Sequence, residues 1–330
     1  MKNYNVKVNL RETEKAIKLI KDNFEQTLAI RLNLQRVSAP LVVLSQSGIN
    51  DNLNGVERIV SFDIKNMPGI RAEIVQSLAK WKRQALKKYG FHAGEGLYTD
   101  MNAIRCDDEV DYLHSIYVDQ WDWEKVITRE DRTLDYLKNT VKIIVDTVCD
   151  ISEVVKRNYP SLTAKLSRDV FFVSAQELED KYPDLTPKQR EHKVVKKYGT
   201  VCIIGIGGAL KSGEKHDGRA PDYDDWDLNC DILFWHNVIN QPIEISSMGI
   251  RVDAESLERQ LRLANAEDRA ALPFHRALLR GELPLTVGGG IGQSRLCMLM
   301  LEKAHIGEVQ ASVWPESETE YAKEHGINLL

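Results

Sequence analysis

The order of predicted strands and helices constrains the fold of this 330-residue chain more than any other feature. After a strand led by Pro40 and closed by Gly48, apolar patterning predicts strands at 58–65, 114–123, 169–174, 200–206, 230–235 and 242–252. Helical spacing predicts helices at 11–32, 75–89, 132–158, 187–198, 254–265, 267–280 and 293–303. Because the strands cluster without a regular strand–helix alternation, we expect an α+β fold with a mainly antiparallel sheet flanked by helices. No repeat or composition shift marks a boundary, so residues 1–330 are expected to form a single domain.

Charge and cysteine content narrow the functional class. The formal net charge is -5 and the pI is near 6.0, which argues against a nucleic-acid or membrane partner and favours small-molecule chemistry. The five cysteines include no CxxC pair, as expected for reduced thiols rather than a disulfide framework or a zinc site. The first residues lack an apolar signal-like run, so we predict a cytoplasmic location.

The stretch at 285–302, "LTVGGGIGQSRLCMLMLE", joins a glycine-rich strand to an apolar helix. Glycines at 288–290 suit a backbone that approaches a ligand closely. Arg295 falls in the first helical turn, where a cation faces the positive end of the helix dipole unless an anion or an aromatic surface lies opposite. From this stretch alone, a solvated arginine beside a tight turn is an equally good interpretation.

The segment "YLHSIYVDQWDWEKV" carries unusual polarity for a strand. Alternation places Gln120 and Asp122 on one face, and Asp119 with Trp121 and Trp123 on the other. Each buried carboxylate would need a partner, so the pattern favours a site over a plain core strand. The alternative is an edge strand whose acids face water.

Three further segments concentrate charge. In "IEISSMGIRV", alternation places Glu244, Ser246 and Met248 on one strand face, and a single such glutamate suffices for a nucleotide-bound magnesium. "RAPDYDDWDLNCD" holds five acids with interleaved aromatic residues and is either a solvated loop or a pocket wall. "SLAKWKRQALKKYG" predicts a basic helix, whose charges usually form a solvated face.

Together these segments resemble the catalytic domain of class II aminoacyl-tRNA synthetases. The first helix and the Pro40 strand resemble its dimer-interface motif. "GEGLYTDMNAIRCDDE" with "SIYVDQWDWE" resembles its second motif, which implies that Arg105 holds the α-phosphate of ATP. "GGGIGQSR" resembles its third motif, which implies that Gly290 and Arg295 contact ATP.

The resemblance is greatest to one relative of those enzymes, the ammonia-dependent asparagine synthetases, or aspartate–ammonia ligases. The blocks "NDNLNG", "SLAKWKRQAL", "AGEGLYTDM", "YVDQWDWE", "RAPDYDDW", "EISSMGIRVD" and "GGGIGQSR" cover nearly the whole chain. One departure is that "DDWDLNCDILFW" is contiguous, which predicts a shortened loop before Asp231. The resemblance implies that ATP activates L-aspartate as β-aspartyl-AMP with release of pyrophosphate, and that ammonia then gives L-asparagine and AMP.

Site roles follow from this reaction and from the charges of aspartate. Asp51, Gln120 and Asp122 offer acceptors for its ammonium group, and Lys82 and Arg251 offer cations for its carboxylates, with Ser246 beside them. Asp224 and Asp122 are expected to act with Arg105 in catalysis, with Asp224 holding the incoming ammonia. Glu244 and Asp231 are expected to hold Mg²⁺ with ATP.

Two other functions remain open from the sequence. One is an aspartyl- or asparaginyl-tRNA synthetase core, which would use the same adenylate. The other is a non-catalytic paralogue, against which the presence of Arg105, Glu244 and Arg295 argues. The apolar stripe of the first helix and the Pro40 strand predict a homodimer, because those faces otherwise lack a partner.

Overall fold

The computed structural model describes residues 4–50 and 57–330. Its helices are α1 Leu10–Leu32, α2 Ala79–Tyr89, α3 Leu134–Asn158, α4 Ala175–Lys181, α5 Pro187–Tyr198, α6 Ala254–Leu263, α7 Pro273–Leu279, α8 Gln293–Met300 and α9 Glu316–Glu324. Its strands are β1 Leu34–Arg36, β2 Val42–Leu44, β3 Ser61–Asp63, β4 Arg71–Ile74, β5 Gly96–Ile104, β6 Tyr117–Val126, β7 Phe171–Ser174, β8 Thr200–Ile204, β9 Asp224–His236, β10 Gln241–Arg251 and β11 Thr286–Gly292. Helix α1 is capped by Asn9 and α5 by a Thr186–Gln189 capping box with Pro187 in its first turn, so local sequence sets where both begin.

The strands form an eight-stranded sheet in the order β1-β5-β6-β11-β10-β9-β8-β7 and a small sheet in the order β2-β4-β3. Pairing is antiparallel from β5 through β8, whereas β1 pairs with β5 and β7 with β8 in parallel. The predicted α+β class with a mainly antiparallel sheet is confirmed.

One face of the large sheet carries the main core. The apolar stripe of α1 packs there, with Ala16, Ile20, Phe24 and Leu28 buried and Ile17 partly buried. The ring of Phe24 lies 4.7 Å from that of Trp121 on β6. Helix α3 contributes a second apolar stripe to the same core. The idea that the apolar face of α1 lacks a partner was therefore wrong, because this chain itself covers that face.

Tertiary pairing explains most differences from the predicted elements. Strand β5 was not predicted, because Thr99, Asp100 and Asn102 give its sequence a loop-like polarity, yet it pairs with β6 along its length. The helix predicted at 267–280 is interrupted before Pro273, which begins α7. The expected loop before Asp231 is instead the uninterrupted strand β9. In the described ranges, no helix is long and apolar enough to cross a membrane.

Candidate active site

A cavity of about 330 Å³ lies on the sheet face opposite the main core. Strands β6, β9, β10 and β11 supply its floor, and α2, the N-terminus of α8 and the segment around Arg105 supply its walls. Its charged lining comprises the cations Lys82, Arg105, Arg219, Arg251 and Arg295 and the carboxylates Glu57, Asp108, Asp119, Asp122, Asp224 and Glu244. Such a mixed lining suits a zwitterion together with a polyanion.

The glycines of β11 give room to side chains of the neighbouring strand. A Cβ on Gly290 would lie 2.1 Å from Oε1 of Gln120 and 2.8 Å from Oδ1 of Asp122. A Cβ on Gly288 would lie 2.1 Å from Oε2 of Glu124. The bare backbone therefore lets three polar side chains of β6 lie across β11, so at Gly288 and Gly290 side chains of this protein, rather than only a ligand, require the absence of a Cβ.

Lys82 lies under this polar layer and is almost completely buried. Its Nζ lies 3.0 Å from Asp122 and 3.9 Å from Glu124, and donates to the carbonyl oxygen of Gly289 at 3.1 Å. The neighbours Lys80 and Arg83 are buried as well, so the predicted solvated face of α2 was wrong for its first turns. Their charges are held by acids and carbonyls from distant parts of the chain.

Arg251 at the end of β10 is the second buried cation. Its Nε and Nη2 donate to Glu124 at 2.8–3.1 Å, and its Nη1 donates to Asp224 at 2.5 Å. Burial opposes the charge of Arg251, but the two carboxylates outweigh it and raise the pKa of the guanidinium. Burial likewise opposes the charge of Glu124, but Arg251 and Lys82 hold the pKa of that carboxyl below its usual range. Arg251 and Glu124 are therefore both charged at neutral pH.

Two less buried arginines face the same cavity. Arg105 donates from Nη2 to the carbonyl oxygen of Gln76 at 3.3 Å, and its Nε is buried without a hydrogen-bond partner. Arg295 donates from Nη1 to the carbonyl oxygen of Glu244 at 3.3 Å and lies 3.9 Å from the carboxylate of Glu244. Both guanidinium groups keep donors available for an anionic ligand.

Asp231 and Glu244 are two acids on the neighbouring strands β9 and β10. Asp231 on β9 accepts a hydrogen bond from Nη2 of Arg219 at 2.6 Å. Burial raises the pKa of Asp231 to about 6, against the effect of Arg219 and with the added effect of Glu244. The described residues contain no group of three or more His, Cys, Asp or Glu side chains that could hold a metal.

The structure assembles most predicted site residues but not all of them. One cavity is lined by Gln120, Asp122, Lys82, Arg105, Asp224, Glu244, Arg251, Gly290 and Arg295. Asp231 does not line it, but its strand partner Ser247 does. Ser246 does not line it, and Ser247 does. The predicted face was wrong because a β-bulge between Glu244 and Ser246 shifts the alternation along β10. Asp51 lies outside the described residues.

Sequence reasoning missed Glu124 and the direct role of Arg219 in the cavity wall. The same alternation that selected Gln120 and Asp122 selects Glu124 two residues later, so the signal was present. Arg219 was visible as the one cation before the acidic segment. Two acids of that segment are structural, because Asp222 is held by Lys80, Arg269 and His275, and Asp225 by Arg132 and Arg259.

Comparison with known proteins gives a family match. Residues 11–326 match the family model described as aspartate-ammonia ligase. The chain is 58% identical over 329 residues to the aspartate–ammonia ligase of Clostridium perfringens strain 13, covering 100% of this chain and 98% of that protein. It is 55% identical over 327 residues to the aspartate–ammonia ligase of Levilactobacillus brevis, covering 99% and 98%.

Solved structures share the fold at low sequence identity. Entamoeba histolytica asparaginyl-tRNA synthetase in complex with asparaginyl-adenylate has a TM-score of 0.68 at 14% identity, covering 91% of this chain and 66% of that one. Pyrococcus horikoshii asparaginyl-tRNA synthetase complexed with asparaginyl-adenylate has a TM-score of 0.66 at 15% identity, covering 92% and 70%. This chain spans just under two thirds of the Entamoeba synthetase.

Proposed function

The chain belongs to the aspartate–ammonia ligase family, and we propose that its cavity makes asparagine in two steps through a β-aspartyl adenylate. The enzyme forms L-asparagine from L-aspartate and ammonia with ATP. The cavity has a buried end with Lys82 and Arg251 and a more open end with Arg105 and Arg295. This division supports an adenylate intermediate, because one end can hold aspartate and the other can hold the nucleotide. The chain also shares its fold with two synthetases whose structures were solved with asparaginyl-adenylate, which further supports the proposed adenylate.

In the first step, an oxygen of the substrate β-carboxylate attacks the α-phosphorus of ATP and pyrophosphate leaves. Lys82 and Arg251 hold the carboxylates of aspartate, while Gln120 and Asp122 accept hydrogen bonds from its ammonium group. Arg105 and Arg295 hold the phosphate and nucleotide end. Charge that develops on the phosphate oxygens is stabilised by Arg105, whose donors are fixed in place before the reaction.

In the second step, ammonia attacks the β-carbonyl carbon and AMP leaves with the electrons of the broken C–O bond. The nitrogen loses a proton as the amide forms. Asp224 and Asp122 line the cavity and are the carboxylates that bind the incoming ammonium and take its proton. Family membership and full-length identity to ligases argue against both a tRNA synthetase core and a non-catalytic paralogue.

The stoichiometry of products tests the adenylate. With aspartate, ammonium, ATP and magnesium, we expect asparagine, AMP and pyrophosphate in equal amounts. Chromatography of the nucleotides and a pyrophosphate assay measure them in one reaction. Formation of ADP and phosphate would instead mean a β-aspartyl phosphate, and the two-step scheme above would be wrong.

Glu244 and Asp231 fit a magnesium ion bound with ATP. Glu244 lines the cavity, and Asp231 lies on the adjoining strand opposite the lining residue Ser247; magnesium commonly takes one or two carboxylates while phosphate oxygens and water complete its shell. The ion would neutralise phosphate charge and orient the leaving pyrophosphate. Arg219 already holds one oxygen of Asp231, which leaves Glu244 as the main ligand.

Replacement of Glu244 by glutamine should therefore raise the magnesium concentration needed for half-maximal activity. The change keeps size and removes the charged ligand, so we expect a shift of about tenfold with lower turnover. Magnesium titrations at fixed ATP measure it. Glu258→Gln on the outer side of α6 is the matched control, and an identical titration curve for both variants would remove Glu244 from the metal site.

We also propose a homodimer, because several large apolar side chains are exposed on this chain. Leu41, Val42 and Phe62 of the small sheet region are 50%, 40% and 42% exposed, and Ile30 of α1 is 81% exposed. Covering these residues suits a second copy of the chain. Light scattering should give a mass near twice the 37.6-kDa chain, falling to one chain for Val42→Asp combined with Phe62→Asp. A monomeric parent protein would contradict this.

A cytoplasmic location is part of the same proposal. All five cysteines are unpaired thiols, four of them buried, as expected in a reducing compartment.

A further inference from the structure

Helix α8 begins without a capping side chain of its own. Its N-cap residue is Gly292, and no side chain of the helix start accepts a hydrogen bond from the first turn. The first N–H groups of a helix lack partners within the helix and need acceptors from elsewhere. Here the backbone N–H of Ser294 donates to Oδ1 of Asp119 at 3.1 Å. The cap therefore comes from strand β6.

Asp119 is held in this place from several sides. It accepts from Oγ of Ser294 at 2.8 Å, from Nε2 of Gln310 at 3.3 Å and from Nζ of Lys21 at 3.2 Å. Only 7% of the residue is exposed. By alternation along β6, Asp119 shares a face with Trp121 rather than with Gln120 and Asp122, yet it also contributes to the cavity lining, next to Ser294 at the start of α8. Its carboxylate is thus directed at α8.

The cap lies directly beside Arg295, the next residue of the first turn. A cation at a helix N-terminus is unfavourable, and a carboxylate there offsets the penalty. A capping side chain on the helix itself would crowd this arginine, because a Cβ on Gly292 would lie 3.3 Å from Cβ of Arg295. Placing the cap on β6 keeps the path of the Arg295 side chain into the cavity open.

We propose that Asp119 is a positioning residue for ATP: it caps α8 from strand β6 and so fixes Arg295 toward the nucleotide. The inference rests on the proposed contact between Arg295 and ATP. We expect Asp119 to affect the nucleotide end of the site, because both of its carboxylate oxygens accept hydrogen bonds from Ser294, the residue before Arg295.

The first experiment compares Michaelis constants in asparagine synthesis. Asp119→Asn keeps the shape but removes the charge and one acceptor, so the KM for ATP should rise about fivefold to tenfold while the KM for aspartate changes less than about twofold. Glu179→Gln is the matched control and should leave both constants unchanged, because Glu179 is a buried carboxylate outside the cavity lining that likewise accepts from the backbone N–H and the hydroxyl of one serine, Ser212. Equal increases in both constants for Asp119→Asn would mean a general structural role and overturn the proposal.

A double-mutant cycle then tests whether Asp119 acts through Arg295. Arg295→Ala should raise the KM for ATP, and adding Asp119→Asn should raise it little further. If Arg295→Ala has no effect on that KM, the proposed role of Arg295 fails, and the positioning role with it. If Arg295→Ala has its effect and Asp119→Asn adds its full effect independently, only the inference about Asp119 fails.

Should Asp119→Asn not fold, Ser294→Ala takes its place in the cycle. That variant removes one hydrogen bond to Asp119 and leaves the carboxylate and the backbone bond intact. The KM for ATP should rise by about twofold to threefold, again without a change for aspartate. An unchanged KM for ATP would overturn the proposal.

Discussion

Replacement of Arg105 by lysine is expected to lower kcat for asparagine formation by about 100-fold, with a smaller effect on the KM for aspartate. Lysine keeps the positive charge but loses the planar fork that can contact the α-phosphate and the attacking carboxylate together. The structure adds a reason for a large effect: one edge of Arg105 is anchored on the carbonyl oxygen of Gln76, so its remaining donors have a fixed direction. Steady-state kinetics with saturating ATP and aspartate measure the change.

The control for this variant is an arginine with the same chemistry outside the cavity. Arg168 pairs with Asp150 and Asp146, and its side chain is 47% exposed. Arg168→Lys should retain parental kcat and thermal stability. If Arg105→Lys kept kcat within about threefold of the parent, stabilisation of the α-phosphate would belong to another group of the cavity, with Arg295 or Arg219 as the candidates.

Local signals in the sequence account for the parts of the fold that were predicted well. Helices α1, α3 and α5 each combine an apolar stripe with a Ser/Thr/Asn-type cap, and their observed bounds lie within two residues of the predicted ones. Strand β5 has no such signal, because its stability comes from pairing with β6 and β1 rather than from its own alternation. The β10 bulge is likewise invisible in the sequence, and it moved Ser246 off the predicted face.

The sequence predicted which residues belong to the candidate site, but not which of them contact each other. Gln120, Asp122, Glu244 and Arg295 stood out because polar side chains at those places conflict with a simple core. Nothing in the sequence indicated that Lys82 would lie 3.0 Å from Asp122, or that Arg251 would bridge β6 and β9. These partners come from distant parts of the chain, and they meet only because the central strands lie in this antiparallel order and α2 packs against β6.

Replacement of Arg251 by methionine is expected to have the largest effect on both activity and stability. Methionine has a similar length and fills much of the same volume, but it leaves Glu124 and Asp224 buried without their shared cation. Removing one member of such a buried ionic group costs about 3–5 kcal/mol of the free energy of unfolding. Urea unfolding should show this loss, and asparagine synthesis should fall below detection because the cation proposed to hold aspartate is gone. Arg259→Met, which removes a half-exposed partner of Asp227 and Asp225, should cost about 1 kcal/mol or less.

A second substitution separates the two consequences of Arg251→Met. Glu124→Gln, added to Arg251→Met, removes the more deeply buried of the two carboxylates that have lost their cation. The new amide can still accept a hydrogen bond from Thr286, whose hydroxyl donates to Oε1 at 2.7 Å in the parent. We therefore expect the double variant to regain part of the lost unfolding free energy and none of the activity. Recovery of stability without activity would show that the instability of Arg251→Met is not the cause of its lost activity, as expected if Arg251 also holds aspartate. If the double variant were less stable than Arg251→Met alone, the buried charge of Glu124 would not be the cause of the instability, and its bonds to Thr286 and Lys82 would have to be stabilising on their own.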